Sequence, residues 1–139
     1  VTPTEEAMAA ALVRAGERFH YEPRTFRIHH PNGKLSGFNP DFYLPEHELY
    51  IEVGNPAHKR VKVRWCRAAY PNLQVVIVAN EWREEILGLS GEAVIEWLRE
   101  KWVEQEYSDA YSLHRRHQAR EEARWAKQRG IKGPSLRCA

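Results

Sequence analysis

Cysteine is scarce in this chain. Cys66 and Cys138 are the only two in 139 residues, and they are too far apart in sequence to suggest a disulfide framework or a thiolate zinc site. A reducing compartment, the cytoplasm, is therefore expected. Cys66 reads as a small core residue. No apolar run is long enough to span a membrane, and the first residues read as a helix start rather than a signal peptide. There are seven histidines, but no helical His-x₃-His set with a third ligand at suitable spacing. His114 and His117 are three apart in a basic stretch, His29, His30 and His47 lie at turns, and His58 could at most touch a phosphate. No repeat or low-complexity segment is present, and nothing points to a small-molecule cofactor.

With 42% hydrophobic residues, the chain can bury one core. Expected domains are residues 1–105 and a basic helical extension, 106–139. From His114 to Arg137, eight basic residues stand against two acidic ones, a net charge of +6 on a chain of +2 overall. The rest is therefore net acidic. Arg115, Arg116, Arg120, Arg124 and Lys127 are candidates for contacting a phosphate backbone. A solvated helix is the plain alternative. Helical periodicity runs through Tyr107, Tyr111, Ala119, Ala123 and Trp125, with Gly130 and Gly133-Pro134 as terminators. Trp82, Trp97 and Trp102 fall at amphipathic helix positions and read as core or partner surface.

A helix is expected over 3–15, with Thr2 as N-cap, Pro3 at the first position, Glu5 closing a capping box and Gly16 ending it. Glu5, Met8, Ala9 and Leu12 share one helical stripe. A strand is expected over 18–29, followed by a Pro31-Asn32-Gly33 hairpin turn. Alternation from Phe38 to Leu44, and again from Leu49 to Val53, gives two further strands joined by Leu44–Glu48. Paired antiparallel, they place Asp41 and Glu52 on the same, less apolar side. Two adjacent carboxylates repel each other unless a cation lies between them, and Mg²⁺ suits such a pair. The plain alternative makes Asp41 a turn residue and Glu52 a solvated strand residue. A helix over 57–70 has Lys62, Trp65, Cys66 and Ala69 on one inward stripe, and Lys62 could equally extend to solvent. Leu73–Ala79 is apolar on both parities, as in an interior strand covered on both faces. Helices follow at 81–87 and 91–105.

The run Asn39-Pro40-Asp41-Phe42-Tyr43-Leu44-Pro45, followed by Leu49-Tyr50-Ile51-Glu52-Val53, resembles the PD-(D/E)XK nuclease superfamily. Tyr21-Glu22-Pro23 and Phe26 are similar to the first strand of its phage and transposon branches. The resemblance spans roughly residues 2–80. It implies an α/β fold with a restriction-endonuclease-like core (helix, three strands, helix, strand) followed by C-terminal helices. It also implies a Mg²⁺-dependent DNA endonuclease in which Mn²⁺ can substitute, with Asp41, Glu52 and the Val53 carbonyl as metal ligands and Glu5 assisting. The family's signature lysine, two positions after the strand acid, is Gly54 here. A related branch carries its lysine on the next helix, a pattern that Lys59, Lys62 and Arg64 resemble. Lys62 is the first candidate for that role, Lys59 the second, and Arg64 a DNA contact. DNA is the expected partner, with a homodimer if both strands are cut. The alternative is a nucleic-acid-binding module that kept the fold and lost catalysis.

Overall fold

A computed structural model describes residues 1–128, leaving out the side chains of residues 110–113. Helix α1, Pro3–Arg14, starts as its sequence dictates. Thr2 accepts from the Glu5 N–H at 3.1 Å, and Glu5 accepts from the Thr2 N–H at 2.7 Å. This reciprocal cap satisfies two N–H groups that the first turn leaves without helical partners. The helix ends in a 6→1, 5→2 bond pair: Glu17 N–H donates to Leu12 and Gly16 N–H to Val13, both at 3.0 Å. Gly16 makes this turn at φ 70°, where a side chain would be strained.

Among the described residues, six strands form two sheets. β1 (His20–Tyr21), β4 (Phe42–Leu44), β5 (Leu49–Val53) and β6 (Val75–Val78) make a four-stranded sheet in the order β1-β4-β5-β6, while β2 (Phe26–His29) and β3 (Leu35–Phe38) form a separate hairpin. β1 runs antiparallel to β4, and β4 to β5. β6 is parallel to β5, so helix α2, Pro56–Ala69, makes the crossover that parallel pairing requires.

The single strand expected over 18–29 is therefore two short ones in different sheets. Glu22 takes φ 47° and Pro23 removes an N–H donor, which breaks the extended run. The alternation from Phe38 to Leu44 is also divided: Phe38 closes β3, Pro40 interrupts, and Phe42 opens β4. The Asn32-Gly33 turn does join β2 to β3, with Gly33 at φ 83°.

The sheet has an apolar layer on each face. Phe42, Leu44, Leu49, Ile51, Val53, Val76 and Val78 pack with Ala7, Met8, Ala11 and Leu12 of α1 and with Ile86, Val94, Trp97 and Leu98. Val75 and Ile77 pack on the other face with Val63 and Cys66 of α2 and with Phe26, Ile28 and Phe38 of the hairpin. β6 is thus covered on both faces as its composition requires, although it is the last strand in hydrogen-bonding order rather than an interior one. Burial raises the Cys66 thiol to about 11, so it stays a neutral core group. Trp97 is buried, and Trp82 and Trp102 lie against the first core layer.

After a 3₁₀ turn at Asn80–Trp82 come α3, Arg83–Leu87, a second 3₁₀ turn at Gly91–Ala93, and α4, Val94–Gln128. The chain divides into two compact units, Val1–Trp102 and Val103–Ala139. Among the described residues no helix is long and apolar enough to cross a membrane. Gly130, Gly133-Pro134 and Cys138 lie outside the described residues.

Candidate metal and phosphate site

Strand parity brings the two acids together. Phe42 faces Ile51 across the β4–β5 ladder, so one step beyond it Asp41 comes opposite Glu52. With Phe42 and Ile51 turned to the α1 layer, the acids take the opposite face. There the ladder is replaced by a side-chain bond, in which the Val53 N–H donates to Asp41 Oδ2 at 2.7 Å. Glu52 is 5% exposed, an unusual burial for a carboxylate. Burial, then the hydrogen-bonding contact and charge of Glu52, raise the Asp41 carboxyl to about 6, against the lowering contributions of the Val53 N–H and Glu5. This is the tension expected of two carboxylates sharing one space.

A cation, Lys59, reaches this pair. Its Nζ lies 3.7 Å from Glu52 Oε2, and the route it takes depends on Gly54. A Cβ on Gly54 would come within 2.7 Å of Lys59 Cε and 3.3 Å of Cγ. The missing side chain thus leaves the corridor through which the lysine stem passes. Gly54 also sits at φ 155°, which few side chains tolerate. α2 starts directly after it, with Asn55 Oδ1 capping the Ala57 N–H at 2.9 Å and Pro56 in the first turn.

The inward face of α2 differs from the one its periodicity suggested. Val63 and Cys66 are its buried residues, and half-buried Lys59 and Tyr70 extend that stripe in both directions. Lys62 and Ala69 are exposed, and Trp65 is 37% exposed. Lys62 therefore lies on an exposed part of α2, and of the expected stripe only Cys66 is buried. The missed signal was the set 59, 63, 66, 70, which satisfies helical spacing as well as the set led by Lys62 does.

Glu5 combines two roles that compete in a sequence reading. It closes the capping box and also stands in hydrogen-bonding contact with Asp41. Among the described residues, however, no group of three or more His, Cys, Asp or Glu side chains is placed to hold a metal ion. Asp41 and Glu52 are thus a two-carboxylate arrangement with Glu5 beside it. Tyr21 was not anticipated here: its phenol is raised above its ordinary range by desolvation and by the charges of Glu5, Glu22 and Asp41.

α2 carries five lysines and arginines and no acid. Its Arg64 is half-buried. In the second unit Arg115, Arg116, Arg120, Arg124 and Lys127 are all exposed on α4, with Arg124 paired to Glu121 at 3.2 Å. His58, His114 and His117 are exposed too.

Comparison of the chain with protein-family models, with curated proteins and with solved structures returned no match.

Proposed function

We propose that this chain is a Mg²⁺-dependent DNA endonuclease with its centre at Asp41, Glu52 and Lys59. The observation that carries the reading is a carboxylate pair, Glu52 buried and Asp41 half-buried, with a lysine reaching Glu52 across the glycine that stands at the family's lysine position. The order α1, β1, β4, β5, α2, β6, with an apolar layer on each face of the sheet, supports a restriction-endonuclease-like core into which the β2–β3 hairpin is inserted.

The residues fit a hard divalent ion. Mg²⁺ is commonly held by one or two carboxylates and completes its shell with waters and substrate phosphate oxygens, so a two-carboxylate site is enough. Asp41, raised to about 6 beside Glu52, is the kind of group whose charge such an ion relieves. Asp41 and Glu52 would hold the ion, with the Val53 carbonyl as the further ligand the resemblance implies. When bound, Mg²⁺ would acidify a water and draw charge from the phosphate. Val53 N–H fixes the Asp41 carboxylate, Lys59 places positive charge where the phosphate would gain negative charge, and Glu5 buttresses Asp41 from α1. The exposed basic residues of α4 would hold the DNA backbone, and cutting both strands would call for a homodimer.

The test is incubation with supercoiled, linear, nicked and four-way-junction DNA in Mg²⁺, Mn²⁺ or EDTA. Cleavage of at least one substrate with either metal, suppressed by EDTA, is expected. Binding without cleavage under every metal condition would replace the enzyme by a binding module on the same fold.

A further inference from the structure

Aromatic rings follow one another across the sheet face that carries Asp41 and Glu52. His20 lies nearly parallel to Tyr43, with centroids 6.4 Å apart and planes at 18°, and Tyr43 meets Tyr50 at 4.4 Å and 30°. Phe26 then stands edge-on to Tyr50 at 5.2 Å and to Tyr70 at 5.0 Å. Tyr43 and Tyr50 are register partners. They lie two positions along the strands from Asp41 and Glu52, on the same face and about 7 Å away. An open groove of about 590 Å³ runs over them, lined also by Arg24, Tyr70, Asn72 and Gln74. The Arg24 guanidinium is 4.1 Å from the Phe26 ring centroid and is exposed.

We infer that this groove holds unpaired nucleobases of the strand whose phosphate reaches Asp41 and Glu52, so that the substrate is single-stranded or splayed at the cut. The inference rests on the reading of the acid pair as a phosphodiester-cutting site. The rings are not fully enclosed: Tyr50 and Tyr70 pack against the second apolar layer yet stay half-buried, Tyr43 is half-buried and His20 is exposed. Base faces stack on such rings whatever the sequence, at about 1–3 kcal/mol per base. In an intact duplex those faces are already stacked on one another, so only an opened strand can use them. Arg24 supplies a planar cation beside the rings for a phosphate or a base face. The amides of Asn72 and Gln74 offer donors and acceptors to base edges. A strand carries one phosphate per roughly 3.4 Å of duplex length, so a platform about 7 Å from the acids lies one or two nucleotides from the cut.

The experiment measures fluorescence anisotropy of a labelled single-stranded oligothymidine and of a duplex of equal length, in EDTA. The proteins are the full chain and its Tyr43→Leu, Tyr43→Phe and Arg24→Gln variants. The parent is expected to prefer the single strand. Tyr43→Leu should weaken that binding about 5- to 100-fold while duplex affinity moves less than about twofold. Tyr43→Phe should retain it, and Arg24→Gln should lose about 2- to 10-fold. If Tyr43→Leu does not fold, Arg24→Gln, on an exposed side chain, decides alone. A duplex preference in the parent, equal losses for both DNAs, or no loss in any variant overturns the groove. Because no metal is present, the outcome is independent of cleavage. Aromatic-dependent single-strand binding without cleavage in Mg²⁺ or Mn²⁺ keeps the groove and removes the nuclease reading. Cleavage of intact duplex unaffected by these substitutions does the reverse.

Discussion

Asp41→Asn is expected to reduce cleavage by at least roughly 10²–10³-fold and, without divalent metal, to make the fold more stable at neutral pH. The gain follows from the direction of the Asp41 shift. Its carboxyl is raised to about 6 in the folded protein, by burial first and by Glu52 next. An unfolded aspartate titrates near 3.9. Between these values the folded state binds more protons than the unfolded one, so this group makes stability fall as pH rises through about 4 to 6. Above that window the penalty is complete, and asparagine, which carries no charge, avoids it. The Asn Oδ1 can still accept from Val53 N–H. Because the group is partly open to solvent, the gain is put at about 1 kcal/mol rather than the full value of the shift. Urea melts in EDTA should show a higher midpoint for Asp41→Asn at pH 7.5 and a shrinking difference towards pH 4. A lower midpoint at pH 7.5 would contradict the carboxylate crowding.

Lys59→Ala should lower the cleavage rate about 100-fold and DNA affinity less than about threefold, while Lys62→Ala should leave the rate within about threefold. Position supplies the ranking: Lys59 Nζ lies 3.7 Å from Glu52, whereas Lys62 is exposed. A contact made mainly in the transition state appears in the rate, and a ground-state phosphate contact appears in affinity. Single-turnover rates and anisotropy on the same substrate separate the two. Gly54→Lys does not simply supply the lysine of the nucleases that the motif resembles, since its Cβ would displace the Lys59 stem and its backbone would be strained at φ 155°. Equal rate losses for Lys59→Ala and Lys62→Ala would contradict the ranking by position.

What the sequence made legible follows the range of the interactions involved. The capping box at Thr2 and Glu5 is local, and so is the Leu44–Glu48 turn that sets the β4–β5 register. Both could be read directly, and the register alone put Asp41 and Glu52 on one face. The inward face of α2 is a tertiary choice. Stripes led by Lys59 and by Lys62 share Cys66 and both satisfy helical spacing, and the space over Gly54, which no periodicity reports, favours Lys59. The hairpin was half legible. Asn32-Gly33 announced its turn, but unbroken alternation across Pro40 concealed that Phe38 and Phe42 belong to different sheets. Tyr43 and Tyr50 were seen only as strand positions, because the groove above them is formed with Arg24 and Tyr70, which are distant in sequence.

The most direct test of the acid pair as a divalent-metal site is calorimetric titration of the full chain with Mn²⁺ at pH 5 and pH 7. A carboxyl titrating near 6 is ionised in about one molecule in ten at pH 5 and nine in ten at pH 7, so proton competition should weaken Mn²⁺ binding about tenfold at the lower pH. Binding with that pH dependence, lost in both Asp41→Asn and Glu52→Gln, is the expected result. Absence of Mn²⁺ binding at pH 7, or binding that survives both substitutions, would contradict it.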